Sequence, residues 1–177
     1  MKSLKNILLI LASICFVIIL GGAIYEHIAV VPKWSAAPPS SLTMFQGKYG
    51  LHSEYFWIPI HPVTILLMVG ALITNWKNVR RKNILIVLIS YIVILITTFS
   101  FFVPELISII QTPFQDTVDP DLVRRSSMWE TLSLIRLSII AILSIILLSA
   151  LTQPAEIVVV QEVTTVPLSY ENDSMGG

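Results

Sequence analysis

The stretch NILIVLISYIVILITTFSFFVPELISII, residues 83–110, is apolar almost throughout and contains one charged side chain, Glu105. A membrane-spanning helix needs about 20 such residues, so this stretch is long enough to cross a bilayer. Three further apolar runs occupy residues 7–31, 56–76 and 128–151. The sequence therefore predicts an all-α integral membrane protein. We expect an antiparallel four-helix bundle with a long outer loop between the first two helices.

Composition supports the same class. The 177-residue chain is 55% hydrophobic and 12% charged, against about 25% charged residues in a typical soluble domain. A formal net charge of zero and the lack of a basic stretch argue against a nucleic-acid partner. The single cysteine, Cys15, lies in the first apolar run, so neither an intrachain disulfide nor a cysteine-based metal site is expected.

The basic residues predict the orientation. Lys2 and Lys5 precede the first run, and four basic residues fill the link at residues 77–82. Excess Lys and Arg marks the cytoplasmic side, so both termini and this link should face the cytoplasm in a cell (inner) membrane. The uncharged run at residues 7–25 exceeds the roughly 7–15 residues of a signal peptide core, which favours a retained helix.

The segments outside the apolar runs have their own signals. Pro38-Pro39 and then Ser40-Ser41 predict a short interfacial helix with a Ser cap, ending near Gly47 or Gly50. Asp119 followed by Pro120 predicts the start of a long fourth helix that ends near residue 151. The membrane domain is therefore assigned to residues 1–151. Residues 152–177 are expected to form a cytoplasmic, largely flexible tail, in which an apolar patch at 156–160 could pair as a strand.

Ionisable side chains collect in the outer half of the predicted bundle. They are Glu26, His27, His61, Glu105, Glu130 and Arg136. Charge at membrane depth costs at least ~2.5 kcal/mol per group, so such residues mark a functional site by default. This layer is where the sequence predicts function.

Helical spacing sharpens this prediction, because residues seven apart share a face. Tyr91, Thr98 and Glu105 form one such stripe. A second contains His61, Met68 and Asn75, with Thr64 one turn beyond the histidine, and a third contains Trp129, Ser133, Arg136 and Ile140. We expect these faces to point into the bundle, since lipid offers no partner to hydroxyls or charges.

Arg136 carries the strongest signal. It lies about 13 Å into its helix from Met128, so it must pair with an acid or bind an anionic ligand. Glu130 is about 120° away around the same helix and would have to reach in from the flank. A structural pair between Arg136 and a glutamate remains the alternative to a functional role.

Roles are assigned from residue chemistry. We expect His61, Glu105 and Arg136 to be catalytic, and Glu26, His27, Tyr91, Trp129 and Glu130 to contact a ligand. His61 could act as a base or bind a metal, and Pro104 should kink the helix beside Glu105. No Glu-x-x-His or His-Glu-x-x-His pair accompanies these residues, so no metal is assigned and the cofactor is left unspecified. His52 is expected to be solvated in the outer loop.

The segment RRSSMWETLSLIR, residues 124–136, resembles the closing helix of the anthrone-oxygenase-like family of small four-helix membrane proteins. The family pattern is Trp, three residues, Asn, two residues and Arg. Trp129 and Arg136 match it, whereas Ser133 replaces the Asn. Pro32 and the long outer loop also resemble the family, while the segment YFWIPIHP at 55–62 indicates a divergent bacterial branch.

The resemblance covers about residues 5–150. It implies the bundle fold and, for a few members of the family, cofactor-independent oxygenation of anthrones to quinones. Most members have no known activity. Only the fold and the importance of Arg136 are carried over to this chain.

Three functions arise as hypotheses. The first is a small membrane oxidoreductase acting on a lipophilic, quinone- or anthrone-like substrate, with Arg136 on an oxyanion and His61 or Glu105 moving a proton. The second is an accessory or binding subunit, as a homo-oligomer or in a larger membrane complex. The third is a proton or ion path along Glu105, Thr98 and Tyr91, which the lack of an acid in the inner half weakens.

Overall fold

A computed structural model describes residues 2–154 and contains four long helices, here called helices 1 to 4. Each is long and apolar enough to cross a membrane, and they span Leu4–Trp34, Glu54–Thr74, Arg81–Ile110 and Pro120–Thr152. No strand occurs among the described residues. The chain is an integral membrane protein, and the prediction of an all-α four-helix bundle is confirmed.

Each helix packs against two neighbours. Helix 1 contacts helices 2 and 4 most extensively, and helix 3 contacts helices 4 and 2. The core contains fully buried side chains from all four helices, such as Phe16, Met68, Tyr91 and Leu147. Large apolar side chains on the opposite faces remain exposed, as expected of surfaces that contact lipid.

Helices 1 and 3 each contain one π-turn. The turns are Glu26–Val30 and Thr98–Phe102, and each is closed by a bond from the following backbone N–H to a carbonyl five residues back. The short helical segments after these turns begin at Val31 and Val103, with Pro32 and Pro104 at their second positions. A proline there needs no hydrogen-bond acceptor, so the chain restarts its α-helix after each π-turn. Helix 1 therefore continues past Pro32 to Trp34, where the sequence predicted a loop.

The outer segments agree in part with prediction. A 3-10 helix occupies Ser40–Phe45 and is followed by Gly47, whose φ of 77° suits a residue without a Cβ atom. The predicted Ser cap is wrong, because Pro39 occupies the cap position and the Ser40 hydroxyl donates back to the Ala37 carbonyl at 2.7 Å.

The predicted start of helix 4 is confirmed. Asp119 Oδ1 accepts hydrogen bonds from the backbone N–H groups of Asp121, at 2.8 Å, and Leu122, at 3.4 Å. The Asp119 N–H in turn donates to the Pro38 carbonyl at 2.9 Å, which ties the two outer loops together.

Arg80 joins three segments at the end of the bundle that holds Asn6 and Gln153, here called the inner end. Its guanidinium donates to Asn6 Oδ1 at 2.7 Å and to the Gln153 carbonyl at 2.7 and 2.9 Å, and the residue is only 6% exposed. The partially negative carbonyls at the end of helix 4 attract a cation. From the sequence, Arg80 indicated only the orientation of the chain in the membrane. In the structure, its side chain also holds together the segments at the inner end.

The flexible tail and the possible strand at 156–160 lie outside the described residues. Their predictions remain predictions, as does the cytoplasmic location of the termini.

The predicted topology can be tested by labelling single cysteines in a Cys15→Ala background. Ser53→Cys, before helix 2, and Asn78→Cys, in the link after it, lie at opposite ends of helix 2. A membrane-impermeant maleimide should label Ser53→Cys in intact cells and Asn78→Cys only after permeabilisation, because basic links stay inside. Equal labelling of both cysteines in intact cells would contradict the topology.

Replacing Arg80 should loosen the inner end. Because hydrogen bonds to charged groups contribute about 1.5–3 kcal/mol, Arg80→Gln should lower the free energy of unfolding by about 3 kcal/mol. The matched control is Arg81→Gln, since Arg81 is exposed and contacts only the Trp76 ring face in this region, at 5.2 Å. Thermal unfolding in detergent measures both variants, and equal losses of stability would rule out the packing role.

Candidate functional site

A group of polar side chains from all four helices lies in the half of the bundle away from Arg80. This group, here called the outer polar layer, consists of Glu26, Trp57, His61, Tyr91, Thr98, Ser133 and Arg136. The predicted inward faces agree with it, since Tyr91 is 1% exposed and Ser133, Thr64, Met68 and Asn75 are fully buried.

His61 and Tyr91 form a hydrogen-bonded pair between helices 2 and 3. The distance from His61 Nδ1 to the Tyr91 hydroxyl oxygen is 2.7 Å. The Trp57 ring stacks on the imidazole, with centroids 5.5 Å apart and planes at 20°, and the edge of Phe99 approaches it at 6.5 Å. The imidazole is therefore fixed in orientation through one nitrogen, while Nε2 makes no hydrogen bond to another described residue. Such an arrangement suits transfer of a proton at Nε2.

Glu26 reaches the same layer through Trp57. The Trp57 indole N–H donates to Glu26 Oε1 at 2.8 Å. One turn before Glu26, Gly22 permits this approach of helices 1 and 2, because a Cβ atom there would lie 2.8 Å from the Phe56 ring. Trp57 thus holds a carboxylate on its edge and an imidazole on its face.

Arg136 is half-buried and makes its contacts with neutral groups. It donates to the hydroxyls of Thr98, at 3.1 Å, and Ser133, at 2.8 Å, and its guanidinium carbon lies 4.1 Å from the Phe102 ring centroid. No carboxylate of the described chain lies within the 4.0 Å of a salt bridge. The expectation that an acid pairs directly with Arg136 is therefore wrong for residues 2–154.

Glu105 pairs with Arg125 instead. Its Oε1 accepts from Arg125 Nε at 2.7 Å, and a second guanidinium nitrogen donates to the Ser108 hydroxyl at 2.9 Å. The spacing of seven from Thr98 to Glu105 assumed regular α-helix, but the π-turn at Thr98–Phe102 adds a residue to that turn. One extra residue rotates the remainder of the helix by about 100°, which removes Glu105 from the face that carries Tyr91 and Thr98.

The remaining predicted site residues lie at the edge of the layer. His27 Nδ1 bonds to the Ala23 carbonyl at 2.8 Å, while Nε2 is buried without a partner among described residues. Glu130 reaches from the flank to the end of helix 1, where the Ser35 hydroxyl lies 3.4 Å from Oε2. His52, expected to be solvated, is half-exposed and contacts Glu54 at 2.7 Å.

An apolar cluster lies on the outer side of Arg136. Its buried members are Val31, Trp34, Leu42, Phe102, Ile109 and Trp129. The Trp129 indole N–H donates to the Phe102 carbonyl at 2.9 Å, and its ring packs against that of Trp34 at 5.6 Å. This cluster, the aromatic cap, lies between the polar layer and the outer loops, since Trp129 precedes Arg136 by about 10 Å of helix. The layer therefore does not open directly towards the outer side.

Neither of two surface cavities coincides with the layer. One of about 240 Å³ lies between helices 1 and 4, beside Ile14 and Leu148, and one of about 470 Å³ lies below the outer loop, beside Phe45 and Gln111. In the described part of the chain, no three His, Cys, Asp or Glu side chains approach closely enough to hold a metal ion.

Sequence reasoning missed the central position of Trp57 and the contact of Phe102 with Arg136. Trp57 was not among the predicted site residues, although its spacing of four from His61 places both on one helical face. The Phe102 contact depends on the π-turn, which has no clear sequence signal besides Pro104.

Comparison with protein families, characterised proteins and solved structures gives no match to this chain. The resemblance of residues 124–136 to the anthrone-oxygenase-like family therefore stays a prediction.

The contacts of Arg136 predict that Arg136→Met still folds. No carboxylate of the described layer forms a salt bridge with Arg136, so removing the guanidinium leaves no acid unpaired. The Thr98 hydroxyl keeps its bond to the Ile94 carbonyl at 2.7 Å. Burying an unpaired charge is costly, so an apolar side chain of similar length should be near-neutral or stabilising at this position. We expect an unfolding temperature equal to or above that of the wild type. A large loss of stability would show that Arg136 has a structural role.

Proposed function

We propose that the outer polar layer binds a lipophilic carbonyl compound of the quinone or anthrone class and that the protein acts on it as an oxidoreductase. The observation that carries this proposal is the half-buried Arg136, whose described partners are hydroxyls and a ring rather than an acid. A guanidinium has five N–H donors, and two hydroxyls use only part of this capacity. A carbonyl or phenolate oxygen would complete its coordination.

The acid–base component is the His61–Tyr91 pair. In the tautomer whose Nδ1–H donates to the Tyr91 hydroxyl oxygen, the neutral imidazole has Nε2 available to accept a proton. Glu105 is not included, because its pairing with Arg125 removes it from the layer.

The step that these residues support is removal of a proton next to a carbonyl group. The C–H bond breaks, the proton goes to His61 Nε2, and the electron pair moves to the carbonyl oxygen as an enolate. Arg136 would stabilise that oxyanion with charge-assisted hydrogen bonds. With dioxygen as oxidant, conversion of an anthrone methylene to a quinone carbonyl then consumes one O₂ and releases one water.

A second candidate is a non-enzymatic subunit of a membrane assembly. The observation favouring it is that Arg136 of helix 4 donates to the Thr98 hydroxyl of helix 3, so the layer could serve to hold these two helices together. A homo-oligomer or a larger complex would then be the functional unit. The two proposals differ in whether the purified protein binds a small molecule.

Binding can be measured in nanodiscs by quenching of Trp57 fluorescence with a decyl-substituted benzoquinone, using Trp57→Phe to subtract the signal of the other tryptophans. Arg136→Lys should weaken binding about tenfold or more, because an ammonium lacks the planar donor geometry and a charged hydrogen bond contributes about 1.5–3 kcal/mol. His61→Gln should bind the quinone yet fail to accelerate oxygen uptake with an anthrone.

The matched control is Arg125→Lys, which changes an arginine of the same helix outside the layer. It should bind like the wild type. Unchanged affinity in folded Arg136→Lys, or no quenching above the Trp57→Phe background in the wild type, would support the subunit proposal instead.

A further inference from the structure

Helices 2 and 3 separate towards the outer half of the bundle. They are joined at the inner end by a short link and pack along Arg81–Thr97, but the π-turn at Thr98–Phe102 makes little backbone contact with helix 2. At that level the gap is bridged by side chains, with the Phe99 ring at 6.5 Å from the His61 ring and at 82° to it. Phe99 is 58% exposed on the face that contacts lipid.

Two other directions of approach to His61 are closed. The aromatic cap lies on the outer side, with Trp34, Leu42 and Ile109 at 2% exposure or less. Helices 1 and 2 approach so closely at Gly22 that even a methyl group would meet Phe56 at 2.8 Å. On the side between helices 2 and 3, the exposed Phe99 ring covers part of the half-buried His61 ring.

We propose that Phe99 acts as a gate. Its side chain moves aside when a flat, uncharged, lipophilic ring compound passes from the bilayer to His61. This proposal rests on the proposed function and specifies where its ligand comes from. A route through hydrocarbon selects against charged molecules, because each charge costs at least ~2.5 kcal/mol at that depth. The size of the Phe99 side chain would then set the size of ring that passes quickly.

The backbone around Phe99 allows this movement without loss of the layer. The neighbouring Thr98 hydroxyl bonds both Arg136 and the Ile94 carbonyl, which fixes the start of the π-turn. Rotation of an exposed side chain takes picoseconds to nanoseconds. Phe99 can therefore swing into lipid while Thr98 and Arg136 keep their positions, and a ligand that replaces the ring meets His61 first and Arg136 behind it.

The test is a stopped-flow measurement of Trp57 quenching in nanodiscs with two probes, the decyl-substituted benzoquinone and the larger tricyclic anthraquinone. Phe99→Ala should raise the association and dissociation rates of anthraquinone about tenfold each, which corresponds to removing about 1.4 kcal/mol from the barrier. Phe99→Trp should lower both rates. The dissociation constants should stay within about twofold, because a gate alters the barrier and not the bound state.

Ile96→Ala is the matched control, since Ile96 is 60% exposed on the same helix. It should leave both rates unchanged, and Phe99→Leu replaces Phe99→Ala if the alanine variant unfolds. Rates in Phe99 variants equal to those of Ile96→Ala, or a dissociation constant that changes because only one of the two rates changes, would overturn the gate. If the wild type binds the probes and Arg136→Lys weakens binding while Phe99 variants match the control, the proposed function stands and only the gate fails. If the wild type binds neither probe, both fail.

Discussion

The structure depends on one constraint, which is that a bilayer offers no hydrogen-bond partner to polar groups. Every charged or hydroxyl-bearing side chain at membrane depth must therefore find its partner inside the bundle. Arg80 does so with helix-terminal carbonyls at one end, and Arg136 with two hydroxyls and a ring at the other. The apolar core between these two sets of contacts supplies packing, while the polar contacts fix how the helices align.

The two π-turns position several residues of the outer polar layer and its surroundings. Both lie in the outer half, both precede a proline, and together they carry Glu26, His27, Thr98, Phe99 and Phe102. A π-turn costs some backbone hydrogen bonding and changes the direction of the side chains after it, which is why such turns are frequent at functional sites. Here the turn in helix 3 directs Thr98 and Phe102 to Arg136 and directs Glu105 to Arg125.

Arg125 and Arg136, which both lie in helix 4, show how similar residues acquire different roles. Arg125 lies near the outer end and forms a salt bridge with Glu105, in which both side chains are about a quarter exposed or less. Arg136 lies deeper, without a carboxylate at salt-bridge distance among the described residues, and it contacts the Thr98 and Ser133 hydroxyls and the Phe102 ring. Depth and partner, more than residue type, separate a structural arginine from one suited to binding an oxyanion.

The sequence by itself determined the four helices, the long outer loop and the Asp119 cap, because run length, hydropathy and capping chemistry are local properties of the chain. It also predicted the inward faces of helices 2 and 4, where the helix is regular and a spacing of seven holds. It could not predict the partners of Arg136 and Glu105, since one π-turn changes the face on which every later residue of helix 3 lies. The aromatic cap and the Trp57 contacts likewise depended on how the helices pack. Those contacts join residues far apart in the chain, so only the tertiary structure could decide them.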